Sequence, residues 1–140
     1  MNPINDFQHE IKNKILTIED LQLDFIRVIC EDTATVRPEF ERAVSEVGGI
    51  AVVISTPEFS RDGCNTIGIP ASTRLAIRIS EKPALNREAM NHELTALDVA
   101  YIVATQLNCR DAQFHSMSQE ADSAGETVTV TIHFDASIML

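Results

Sequence analysis

The histidines are the first residues to ask about, since imidazole binds metals and transfers protons near neutral pH. His92 stands before a glutamate, but no histidine follows four residues later, so the zinc-protease pattern is not met. His115 and His133 lie in two segments that we expect to be strands and are candidate cross-strand neighbours. A metal site with two histidines needs a third ligand. The nearby carboxylates of Glu120 and Asp135 are of a kind common in any acidic protein and do not by themselves indicate one. We therefore expect no metal site and a solvated sheet face.

Other chemical motifs are missing from the sequence. It contains neither of the glycine-rich phosphate-binding patterns and no Gly-x-Ser-x-Gly nucleophile turn. Cys30, Cys64 and Cys109 are widely spaced, with no Cys-x-x-Cys pair, and Cys30 lies in an apolar run typical of a core. We expect no catalytic residue, no cofactor and no enzymatic activity.

Charged and hydroxyl side chains are the remaining candidates, as contacts between subunits. Basic residues cluster around one predicted strand and turn, whereas the chain after Arg110 has five acids and no Lys or Arg. The candidate contact residues are Arg74, Arg78, Lys82, Arg87, Thr129, Thr131 and Glu126. Two interpretations of the arginines stand equal: cross-strand pairs within one chain, or contacts between subunits. In the second interpretation the acidic end of one copy meets the basic cluster of the next.

The elements that position these residues follow from the apolar spacing. Helices are predicted over residues 3–18, 35–47 and 92–107. The third is apolar over most of its circumference, so we expect it to be deeply buried against a sheet face. Strands are predicted over residues 24–31, 50–55, 74–80, 110–118 and 126–136, and residues 56–73 are predicted to be a long loop. In the last strand apolar residues alternate strictly with threonines and a histidine, so we expect one buried face and one Thr-rich face exposed to water or a neighbour. The result is a single α+β domain over residues 1–140, with helices on one face of a mixed or mostly antiparallel sheet of about five strands.

Composition excludes several classes of protein. The 140 residues carry a net charge of −10 and are 44% hydrophobic, which suits one globular domain. Because a chain this acidic disfavours binding to phosphate groups, we expect no specific nucleic-acid binding and no docking on anionic membranes. The N-terminus lacks the pattern of a signal peptide, so we expect a reduced, intracellular setting.

One segment resembles a known family. Residues 77–87 read Ile-Arg-Ile-Ser-Glu-Lys-Pro-Ala-Leu-Asn-Arg, and residues 96–100 read Ala-Leu-Asp-Val-Ala. A strand running into Glu-Asn-Pro-x-x-Asn-Arg and then a helix starting Ala-Leu-Asp-Val-Ala is similar to the tail-terminator, or tail-completion, proteins of long-tailed bacteriophages and prophages. Glu81, Pro83, Asn86 and Arg87 match, whereas Lys82 stands where Asn is commoner. The order of elements agrees over most of the chain.

The resemblance implies a structural protein without enzymatic activity. Such a protein caps the head-proximal end of the tail tube as a hexameric ring. The resemblance also implies three kinds of partner, which are other copies of the chain, the tail tube protein and head–tail connector proteins. It also implies a location in the bacterial cytoplasm and then in the virion tail.

Two alternatives remain open. One is a small binding module or enzyme that uses the sheet face around His115 and His133. The other is an acidic inhibitor of a basic partner, which would bind tightly and in a salt-sensitive way.

Overall fold

The computed structural model describes residues 3–23, 25–31, 36–46, 49–56, 59–61, 70–84, 94–107 and 112–139. The elements in chain order are helix α1 (Pro3–Leu16), a 3₁₀ turn (Glu19–Leu21), strand β1 (Ile26–Cys30), helix α2 (Val36–Glu41, followed by a π-helical turn over Arg42–Glu46), strands β2 (Ile50–Ile54), β3 (Phe59–Arg61) and β4 (Pro70–Glu81), helix α3 (Ala96–Gln106), and strands β5 (Ala112–Ala121) and β6 (Val128–Met139). The predicted α+β class and mixed sheet are confirmed.

The strands form one sheet with the order β1-β2-β4-β6-β5. β1 and β2 are parallel, and the other neighbours are antiparallel. The short β3 pairs with the first part of β4, and β2 pairs with the second part of β4. In the described part of the chain, β1 and β5 are therefore the two outer strands of this path.

The helices cover the sheet unequally. α1 packs over β1 and β2, and α3 packs over β4 and β6, on the same face. The prediction that all helices share this face is wrong for α2. Ala43 and Val44 in the turn that continues α2 pack on the opposite face, against Ile29, Ala51 and Val53. The physical reason is β2, which is buried on both faces and needs apolar cover on each.

The predicted loop over residues 56–73 is partly strand. β3 lies inside it, and β4 begins at Pro70 rather than residue 74. Pairing to β6 over the whole length of β4, from Pro70 opposite Met139 to Glu81 opposite Val128, extends the strand beyond its alternating apolar pattern. Residues 57–58 and 62–69 lie outside the described residues.

Local chemistry sets two other boundaries. Within the described residues α3 begins at Ala96, later than predicted, because Thr95 forms a capping box with Asp98. A Cβ at Gly49 would overlap the carbonyl oxygen of Phe25, which accepts the N–H of Ile50 at 2.8 Å where β2 starts. Glycine at this position therefore lets β1 and β2 begin side by side.

The predicted burial of side chains is confirmed for Cys30 and is wrong for part of α3. Cys30 is buried as predicted, whereas Cys64 and Cys109 lie outside the described residues. The predicted burial of α3 around most of its circumference is not found, since Leu97 and Tyr101 are 49% and 66% exposed. Among the described helices, none has the length and apolar character needed to cross a bilayer.

Candidate interaction surface

One face of the sheet, beyond the cover of α2, presents hydrophilic side chains. We call it the polar face. It consists of Arg74, Arg78 and Ser80 on β4, Thr129, Thr131, His133 and Asp135 on β6, and Ser116, Ser118 and Glu120 on β5. The opposite face of the same strands holds the core residues Leu75, Ile77, Val130 and Ile132. The predicted alternation of β6, with threonines on one side and apolar residues on the other, is thus confirmed.

An irregularity in β5 brings His115 to the polar face. The register shifts between Phe114 and Ser116, and Ser116 is the residue opposite His133. Such a bulge gives one strand an extra residue. His115 Nδ1 contacts the Oδ2 atom of Asp135 at 3.1 Å. The two histidines therefore lie near each other, as predicted, and of the two it is His115 that pairs with Asp135.

Asp135 also receives a basic side chain. The Nε atom of Arg74 lies 3.4 Å from its Oδ1 atom, across strands β4 and β6. Both side chains are more than half exposed, so this ion pair contributes little to stability, about 0.2–1 kcal/mol. Of the two interpretations of the arginines, cross-strand pairing within the chain describes Arg74.

The second arginine is paired within the chain too. Arg78 donates from Nη2 to Oε2 of Glu31 at 2.9 Å. Nearby, the hydroxyl groups of Ser80 and Thr129 hydrogen-bond to each other at 2.9 Å. These groups border an open cleft of about 550 Å³ between α2 and the polar face, which Arg37 and Phe40 also line.

The other candidates are spread over the molecule. Lys82 donates to the hydroxyl group of Ser45 at 2.8 Å. It also lines, with Glu126, a second open cleft of about 550 Å³ beside the turn from β5 to β6. Arg87 lies outside the described residues. The structure therefore does not gather the basic residues that it describes into a single patch.

The turn between β5 and β6 is organised by a carboxylate. The Oδ1 atom of Asp122 accepts the backbone N–H groups of Glu126 at 2.8 Å and Thr127 at 3.2 Å. These bonds, that from Thr127 first, hold the pKa of Asp122 below its ordinary value of 3.8. Gly125 adopts a φ of 71° here, which glycine does without strain.

The described residues of this surface form no arrangement typical of catalysis or metal binding. In the described ranges, no three His, Cys, Asp or Glu side chains are grouped so as to hold a metal ion. The His133 Nδ1 atom is buried without a hydrogen-bond partner, and His115 pairs with Asp135. Within the same ranges neither histidine bonds to a hydroxyl or thiol group, the contact by which a base activates a nucleophile.

Comparison with known proteins adds a structural neighbour. No protein-family model matches the chain, and no curated protein matches it. A solved chain of the virion of a native gene transfer agent particle matches over 100% of both chains, with a TM-score of 0.65 and 11% sequence identity. At this identity the likeness shows a shared fold over the full length of the two chains.

Proposed function

We propose that this chain is a structural, non-enzymatic subunit of a phage-like virion. Its specific role is that of a tail terminator, which closes the head-proximal end of the tail tube as a hexameric ring. The observation that carries this proposal is the fold shared, end to end, with a chain of a gene transfer agent virion. The resemblance of residues 77–87 and 96–100 to tail-terminator proteins is an independent support from the sequence.

The net charge of the molecule suits this role. A net charge of −10 disfavours binding to DNA phosphates, so DNA passing through a ring of such subunits would not adhere to it. Other copies of the chain, the tail tube protein and head–tail connector proteins are the partners in this proposal. The subunit acts in the host cytoplasm and then in the virion tail.

Native mass spectrometry and light scattering of the purified chain test the proposal. We expect a closed species of six times the monomer mass of 15.5 kDa, either alone or after mixing with the tail tube protein. Electron microscopy would then show the ring at one end of the tubes. A chain that stays monomeric both alone and with the tube protein contradicts the proposal.

A further inference from the structure

The side contacts of such a ring are not evident from the polar face. Its arginines and its serine–threonine pair are bonded within the chain. Its side chains include no large apolar group, whereas the buried centre of a stable interface is mainly apolar. We therefore look for the contacts between copies in another part of the molecule.

The two outer strands of the sheet, β1 and β5, are the best candidates for these contacts. β5 has ten residues and pairs only with β6 among the described elements, and it contains no Lys, Arg or Pro. Proteins usually protect an exposed edge with such residues, because free backbone groups attract other strands. At the other side of the sheet, β1 pairs only with β2 in the same set of elements.

Exposed apolar side chains accompany the β5 edge. Phe114 is 46% exposed although it lies on the core face, edge-on to the ring of Phe134. On α3, Gln106 donates to Asp20 just after α1, so this side of the helix faces α1. The exposed Leu97 lies half a turn around the helix from Gln106 and so faces β5. Leu97 and Phe114 thus border one apolar strip above β5.

We propose that β5 of one copy pairs with β1 of the next copy, so that the sheet continues around the ring. This inference rests on the proposed function and specifies the contact that closes its ring. The directions of the strands support it. β1, β2 and β6 run one way and β4 and β5 run the other way. Antiparallel pairing of β5 with a second β1 therefore keeps every copy in the same orientation, as cyclic symmetry requires.

Charge and length define the register of this pairing. Arg27 on β1 and Glu120 on β5 are both exposed and lie on the same side of the sheet, away from α1 and α3. Placing them opposite each other in antiparallel pairing keeps all five residues of β1 against residues 117–121, past the bulge. A parallel register with the same pair would run beyond the end of β5.

The surroundings of the pair are complementary in charge. Arg27 lines a cavity of about 180 Å³ between β1 and α2, together with Arg42 and Glu39. The end of β5 and its turn carry Glu120, Asp122 and Glu126, and the chain has no Lys or Arg after residue 110. The basic residues beside β1 of one copy would attract the acidic residues at the end of β5 of the next. This complementarity favours a second copy of this chain over another acidic protein as the partner.

Helix spacing accounts for the exposed apolar strip. Inside one chain α1 and α3 are separated by two strand spacings, about 10 Å, which is the usual distance between packed helices. Across the proposed β5–β1 contact, α3 of one copy and α1 of the next copy are separated by three strand spacings, about 14 Å. The additional space is large enough to be filled by the side chains of Tyr101, Leu97 and Phe114. The contact between the two copies would then cover them.

Charge reversal tests the contact. We expect Glu120→Lys or Arg27→Glu to raise the concentration at which the oligomer forms by about tenfold or more, since like charges then face each other. We expect the double variant to restore assembly. Glu41→Lys is the matched control, because it makes the same charge change on the side of α2 that lines the polar-face cleft.

Cysteine crosslinking tests the register. Val28→Cys with Gln119→Cys places two thiols opposite each other, within the reach of a disulfide. We expect oxidation of the assembled protein to yield covalent dimers and larger chains. Val28→Cys with Ser118→Cys should not do so, because these residues lie on opposite faces. The wild-type chain and the single variants control for the native cysteines.

The results separate this inference from the proposed function. If the wild-type chain forms rings, but the charge variants assemble normally and the designed thiols do not crosslink, the β5–β1 contact is refuted and the ring stands. If β5 instead pairs only with the tube protein, hydrogen exchange slows in β5 and not in β1, which also refutes it. A wild-type chain that never assembles overturns both proposals.

Discussion

The neighbouring residues Thr131 and Ile132 provide a sharp test of how the sheet is covered. Ile132 is 0% exposed and lies between Ile77 of β4 and Met117 of β5, on the side covered by α3. Thr131 is half-buried on the polar face. The structure predicts that truncation to alanine at these two positions has very different effects on stability.

The magnitude follows from what each side chain loses. Ile132→Ala removes fully buried side-chain carbons and leaves a cavity between strands held on both sides, so we expect a loss of about 2–5 kcal/mol. Thr131→Ala should change the free energy of unfolding by less than about 1 kcal/mol. Ile132→Asp adds an unpaired buried charge and should unfold the domain, since native proteins are usually stable by only about 5–15 kcal/mol.

Urea unfolding followed by far-ultraviolet circular dichroism is the suitable assay, since the chain has no Trp and one Tyr. Equal losses for Ile132→Ala and Thr131→Ala would refute the assignment of the two faces. Thr131→Asp extends the test to assembly. The β5–β1 contact predicts normal ring formation by this variant, whereas a polar face acting as the subunit contact predicts a folded monomer.

Substitutions at three further positions test local features. Gly49→Ala should destabilise the domain by about 1–3 kcal/mol in urea unfolding, because the new Cβ meets the Phe25 carbonyl oxygen; an unchanged midpoint would contradict this. Thr95→Ala should cost about 1 kcal/mol by removing the cap of α3, and Thr95→Ser should recover most of it. Asp122→Asn should be less stable than wild type at neutral pH. Because the folded pKa is lowered, this difference should shrink as the pH falls below 3.8, and a pH-independent difference would contradict it.

Patterns that arise from burial could be predicted from the sequence. In β6 the apolar residues Val130, Ile132 and Phe134 alternate with polar ones, and all three are in the core. The continuous apolar run of β2 likewise predicts a strand buried on both faces, which the structure confirms. In both strands the side chains alone specify which surface is removed from water.

Features that depend on pairing could not be predicted in this way. The bulge that brings His115 to Asp135 is a property of the register between β5 and β6, which leaves no signal in the residue types. The start of β4 at Pro70 depends on its long pairing with β6. For the arginines, the sequence left two partners open, and the structure pairs Arg74 and Arg78 within the chain.

Helix α3 shows how a failed burial prediction can point to an interface. Its sequence is apolar around most of the helix, which is typical of deep burial. In the single chain the sheet extends only one strand, β5, past the strands that α3 covers, so Leu97 and Tyr101 remain exposed. A further strand and helix beside β5 would bury them. The helix therefore has a sequence suited to a wider sheet than one chain makes, and a second copy joined at β5, as proposed above, would provide that width.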